Sequence, residues 1–209
     1  MDRLRSPGGC PWDAQQTHES LKPYLLEEAY EAYAAIEDGD HADLREELGD
    51  VLLQVVFHAR LAQEHDQPWS IDDVAADLVD KLVRRHPHVF EGTPADDLDR
   101  TWEAIKQAEK GRASVTDGVP LGQPALALAA KLQKRGERLG APTPSYEGVG
   151  GELWALVVRC RAEGVDPEAE LRSVARAYRD RLAALEGELV AEGIDPATLT
   201  PEQWQSRWS

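Results

Sequence analysis

The stretch from about His41 to Glu64 reads as one helix that no single thin layer of neighbours can cover. Leu44, Leu48, Val51, Leu52, Leu53, Val55, Val56, Phe57 and Leu61 take up nearly its whole circumference. A helix that is apolar on all sides belongs in an interior. One polar stripe runs through it at four-residue steps, Glu46, Asp50, Gln54 and His58. Polar groups removed from water cost free energy unless partnered, so the stripe has to meet polar or ionic groups inside an interface.

The preceding helix supplies a matching acidic face. It is expected to start near Glu19 or Ser20 and to run to Asp38, with Gly39 as its stop. Leu25, Leu26, Ala29, Tyr30, Tyr33 and Ile36 form its apolar set. Glu27, Glu28 and Glu31 give an E-E-x-x-E pattern, and Glu47 with Asp50 gives E-x-x-D on the next helix, Glu46 just before it. Residues three or four apart share a helix face, and like charges so placed destabilise the helix. The first helix offers only Lys22 in compensation. A divalent cation is the simplest remedy, and carboxylate oxygens suit magnesium, manganese or calcium.

Beyond this pair the pattern stays helical. A loop from Ser6 to Asp13 precedes it. A third helix begins at Ser70, with Asp73 completing a capping-box-like start, and ends before Pro87; a fourth spans about Asp96 to Lys110. Glycine and proline crowd the stretch up to Pro124, a linker. Further helices are expected from Ala125 to Leu139, from Glu152, and from about Glu168 to Glu192, with a last short turn near Pro201. No strand is predicted, so the fold class is all-α: a helical bundle at 1–112, a linker at 113–124 and a second helical module at 125–209. Gly49–Val56 faintly resembles Gly151–Val158, with Gln54 matched by Leu156 and His58 by Cys160. The echo keeps apolar shape and loses the acidic chemistry, so the second module reads as degenerate.

Composition narrows the partners. Thirty-nine acidic residues against 23 basic ones give a formal net charge of −16 over 209 residues. Nucleic-acid polymers are bound by neutralising phosphates with Lys and Arg, so such a partner is disfavoured. A small phosphate ester fits if a metal bridges the two sets of negative charge. Cys10 and Cys160 lack metal-site spacing and read as two reduced thiols. With no basic-then-apolar leader and no apolar run approaching a membrane span, the chain reads as soluble and cytoplasmic.

A series of motifs then says more than spacing does. Gly9-Cys10-Pro11-Trp12-Asp13, Gln16 to Tyr24, the E-E-x-x-E run, Arg45 to Asp50, and Arg84-Arg85-His86-Pro87-His88-Val89-Phe90 follow in order. Together they resemble a MazG-type nucleoside triphosphate pyrophosphohydrolase of the all-α NTP pyrophosphatase superfamily, densely over about residues 3–110 and weakly after 140. The resemblance implies a dimeric helical enzyme that uses magnesium, with manganese as a substitute, to convert nucleoside triphosphates to monophosphates and pyrophosphate. Carried over by motif, the metal ligands are Glu28, Glu31, Glu47 and Asp50. Glu27 or Glu46, each beside a ligand, is the candidate base for the attacking water.

The triphosphate tail needs cations as well. Lys81, Arg84 and Arg85 at the end of the third helix and Lys106 on the fourth are candidates, although basic residues also suit a helix C-terminus for its own sake. Trp102, more than Trp12, is the candidate base-stacking ring. His58 is expected to be a hydrogen-bonded interface residue, and His86 and His88 turn residues. Two rivals remain open. A di-iron carboxylate bundle lacks its E-x-x-H motif here. A non-catalytic acidic helical dimer that binds a nucleotide or a protein partner draws support from the eroded second half.

Overall fold

A computed structural model describes residues 1–92 and 114–208, and among these there is helix, turn and coil but no strand. The chain divides into two compact units, Met1–Lys106 and Gln107–Ser209. The first holds α1 (Asp2–Arg5), α2 (Pro11–Gln15), α3 (His18–Asp38), α4 (His41–Ala62), α5 (Ile71–Arg85) and α6 (Pro87–Phe90). The predicted helix over 96–110 lies outside the described residues.

The helix boundaries have local causes. Thr17 and Ser20 exchange side-chain and backbone hydrogen bonds at the start of α3. Gly39, at φ +70°, ends α3, with its own N–H reaching Ile36 and that of Asp40 reaching Ala35. This is a Schellman stop, and it needs the left-handed conformation that glycine adopts without strain. Asp40 then caps α4 by accepting from the N–H groups of Ala42 and Asp43. A two-residue link therefore folds α3 back on α4, and these two helices make the most extensive packing in the unit. At α5, Ser70 and Asp73 close the expected capping box.

The opening segment differs from the expected loop: it forms α1 and α2, with Pro11 at the first position of α2, where a missing N–H costs nothing. A Cβ at Gly9 would strike the backbone carbonyl of Leu4, which is why the chain can turn so tightly between them. This segment closes one end of the helix pair. Phe57 packs with Leu21 and Leu61, Met1 lies against them, and Trp12 meets Phe57 edge-on at 6.4 Å. The Arg5 guanidinium lies 5.9 Å from the Phe57 ring with its side chain only 5% exposed. A buried charge survives only if fully partnered. Arg5 donates to both carboxylate oxygens of Glu64 and to the carbonyls of Asp13 and Gln16. Arg60 adds bonds to Asp2 and Glu64. The hydrogen bond from Arg5 holds the Glu64 carboxyl below the usual carboxylate range.

His18 and His58 join α3 to α4 through a 2.7 Å contact between their Nδ1 atoms. Their rings are 4° from parallel with centroids 5.0 Å apart. At that separation the rings meet edge to edge through one N–H···N bond instead of stacking. The expected interface role of His58 thus has a partner that sequence alone did not name. Arg5, Glu19, Glu64, His65 and Asp66 line the cavity beside His18. Burial first, and then the charge of His18, holds the pKa of His58 below its ordinary value. A base depressed in this way binds fewer protons folded than unfolded, so its stabilisation is complete above about 6.5 and lost as pH falls. Acidification from about pH 7 to 5 should remove this contribution from the melting temperature. His58→Gln should flatten that part of the wild-type profile, as read by differential scanning calorimetry.

Among the described residues of this unit, part of the apolar surface of α4 stays uncovered: Leu48 is 53% and Leu52 58% exposed, and Leu53 is exposed too. Within this unit α3 and α5 pack against α4, and among its described residues they leave these leucines exposed. Leu26 and Ile36 of α3 are likewise exposed.

The second unit holds α7 (Ala125–Glu137), α8 (Gly148–Ala162), α9 (Pro167–Ala191), a 3-10 turn at Pro196–Thr198, and α10 (Pro201–Trp208). Val119, Val157, Leu185 and Leu189 are among its buried residues, and the buried Gln133 amide donates to the carbonyl of Trp154. Arg161 pairs with Glu137 and reaches Gln133. α8 begins four residues before the expected Glu152. The sequence echo does not keep its inward face: Gln54 is 5% exposed, whereas its counterpart Leu156 is 44% exposed.

Candidate metal centre

Because α3 and α4 are antiparallel neighbours, the two acidic motifs meet. Glu28 of α3 and Glu47 and Asp50 of α4 each offer an oxygen within 4.8 Å of the others. All three side chains are half-buried, and no other such group of three occurs among the described residues. Glu31, the fourth expected ligand, is exposed and outside this tight group. It still lies close enough to hydrogen-bond Glu28 and to act on Glu47 by its charge. Glu27 and Glu46 are exposed on the flanks, and their charges act on Glu28 and Glu47 respectively.

The electrostatics record crowding. Burial, then the charges of Asp50 and Glu31, raises the pKa of Glu28. Burial, then Glu31, Asp43 and Asp50, raises that of Glu47. An acid with a raised folded pKa contributes stability below its unfolded value, and that contribution is lost as pH rises through the folded one. Near neutral pH the ionised cluster therefore strains the hairpin, and a cation bound only by the folded state relieves it. Magnesium should raise the melting temperature of chelator-treated protein, and by more at pH 8 than at pH 5. A thermal-shift titration at the two pH values checks this.

The donor set is all oxygen and anionic, which fits a hard divalent cation and gives no nitrogen for a di-iron site. A second observation points the same way. Gln54, one turn beyond Asp50 on the same stripe, is 5% exposed, and its Oε1 has no hydrogen-bond partner. A buried acceptor left unsatisfied in this way costs about 1–3 kcal/mol, which a ligand at the site would recover.

The phosphate candidates sit on the third long helix. Lys81 is exposed on α5, and Arg84 and Arg85 lie in its last turn, where they also complement the helix C-terminus. α5 packs on α4, which carries two of the three clustered carboxylates. His86 donates its Nδ1–H to the carbonyl of Leu82 and joins α5 to α6; His88 belongs to the short α6 instead of to a turn. Trp102 and Lys106 lie outside the described residues. Trp12 packs edge-on against Tyr24 and Phe57, a structural placement.

Comparison with known proteins is consistent with this arrangement. The family described as MazG nucleotide pyrophosphohydrolase domain matches residues 16–90, a range that includes all four motif carboxylates. An uncharacterised 26.1 kDa protein of Streptomyces cacaoi is 54% identical over 90% of this chain and 80% of its own length. A protein of Thermotoga maritima named nucleoside triphosphate pyrophosphohydrolase/pyrophosphatase MazG is 38% identical over 100% of this chain and 91% of its own. One of Mycobacterium tuberculosis named nucleoside triphosphate pyrophosphohydrolase is 43% identical over 100% of this chain, which spans 66% of that protein's length.

Proposed function

The chain belongs to the MazG nucleotide pyrophosphohydrolase family, and from that premise we propose that it hydrolyses nucleoside triphosphates to monophosphate and pyrophosphate with magnesium. The observation that carries the reading is the convergence of Glu28, Glu47 and Asp50 from two helices.

Those three carboxylates, with Glu31 beside them, would hold the cation. Magnesium bound there supplies neutralisation of the phosphate oxygens and a polarised water. The chain's own residues do the rest. Lys81, Arg84 and Arg85 attract the anionic tail and balance charge that the cation leaves over. Glu27 or Glu46, exposed next to the ligands, accepts the proton of the attacking water. The oxygen of that water bonds to the α-phosphorus, the α–β bridging bond breaks, and pyrophosphate departs with the electron pair. Hydrolysis of this kind rests on positioning and charge stabilisation more than on covalent help. Because the carboxylates act on one another, any pH–rate profile belongs to the group and not to one residue.

The site in this reading is completed by a homodimer. Leu48, Leu52 and Leu53 on α4, with Leu26 and Ile36 on α3, form an exposed apolar surface on the helices that carry the ligands. A second copy covers it by an isologous contact. Non-canonical or damaged triphosphates, as a house-cleaning enzyme would meet, belong in the substrate panel beside the ordinary ones.

Pyrophosphate release from such a panel, with magnesium, manganese or chelator, tests the activity, and sedimentation equilibrium tests the dimer. Nucleotide binding without any release of pyrophosphate would instead favour the non-catalytic acidic module.

A further inference from the structure

We infer that Gln54 is a positioning residue of the carboxylate site, its Oε1 accepting a hydrogen bond from a water on the cation held by Glu28, Glu47 and Asp50. This rests on the metal reading above and adds a group that the acidic motifs do not include.

The argument is one of burial and direction. Glu47, Asp50 and Gln54 fall at i, i+3 and i+7, one face of α4. Side chains on an α-helix lean towards its N-terminus, so a residue covers the turn that precedes its own Cα. By that rule the Gln54 side chain is directed over the turn of Asp50, the side on which the carboxylates stand. Below it the interior is apolar, with Leu21, Phe57 and Leu61 in contact. That layer offers no donor for the amide oxygen. With 5% of the residue exposed, bulk water does not serve Oε1 either. A leucine of similar size would fill the space without the polar cost. A retained amide at the floor of an anionic cluster is what a metal-bound water, a strong donor, requires as an acceptor. Neutrality suits the place: another carboxylate would add to a set that already repels.

The competing explanation lies one turn further on. His58 Nε2 is also buried without a partner, and a modest rotation could let the two orphans bond each other. The two accounts predict different results.

The test uses the full chain, with Mn2+ alone as probe and no nucleotide present. Isothermal titration and water-proton relaxation follow the wild type, Gln54→Leu, Gln54→Glu and Asp50→Asn. Expected is a loss of Mn2+ affinity of about tenfold in Gln54→Leu, the usual size for an outer-shell partner. Gln54→Glu, which keeps an acceptor oxygen at the same reach, should bind at least as tightly as the wild type. The chelator-treated Gln54→Leu protein should melt no lower than the wild type, because an unsatisfied polar atom has been removed. Wild-type Mn2+ affinity in Gln54→Leu, with binding lost in Asp50→Asn, would overturn this inference and leave the metal site standing. A shifted His58 resonance in Gln54→Leu with unchanged Mn2+ affinity would assign the amide to His58 instead. Full Mn2+ binding in Asp50→Asn would remove the metal reading and this inference together.

Discussion

Asp50→Asn should lower pyrophosphate release by at least about a thousandfold, the equivalent of about 4 kcal/mol of charge stabilisation lost at the phosphates. The substitution keeps the shape of the side chain and removes one of three charges that meet within 4.8 Å. Glu28→Gln should do the same, because it removes the one member of the group that α3 provides. Stability should move the other way. With one carboxylate neutralised the remaining acids repel less, so the chelator-treated variant should melt at or above the wild-type temperature. Steady-state assays together with calorimetry separate the two effects. Near-normal turnover in both variants would refute the assignment of the site.

Phe57→Ala should be the most destabilising single change in the first unit, at about 3–5 kcal/mol. Its ring is the common contact of Leu21, Leu61, Trp12 and the Arg5 guanidinium. Truncation opens a cavity between α3 and α4 and also takes away the surface on which the opening segment rests. Arg5 would then keep its partners but lose its apolar cover, so water would reach a guanidinium that is now 5% exposed. The expected fall in melting temperature is roughly 10 °C or more. Urea unfolding followed by circular dichroism measures it, and a cost under about 1 kcal/mol would place the core elsewhere.

The parts of the fold that sequence reveals are those governed by local chemistry. Gly39 and Asp40 mark a stop and a start, and Ser70 with Asp73 marks another start, because capping needs only a few adjacent residues. The acidic face is legible for the same reason: i, i+3 spacing on a helix is a local fact. That Glu28, and not Glu31, joins Glu47 and Asp50 in one tight group is not local, since it depends on the rotation of α3 about its axis. The opening residues hide their structure for another reason. α1 and α2 have four and five residues and no capping side-chain bond, and are held by Arg5, Arg60 and Phe57 from far along the chain. The polar stripe of α4 promised partners without naming them. His18 answers for His58, while the Oε1 of Gln54 is left buried without a partner. Apolar periodicity reports that α4 requires cover on every side, and it cannot say whether that cover comes from this chain.

The two-residue link between α3 and α4 has a consequence for assembly of the site. Glu28, Glu47 and Asp50 all belong to a single helical hairpin, so they meet without any distant part of the chain having to arrive first. Sequence-near contacts of this kind form early and fast, because little loop entropy opposes them. During synthesis the hairpin could gather its acids as soon as α4 is complete, and a cation captured then would favour the native register over slipped ones.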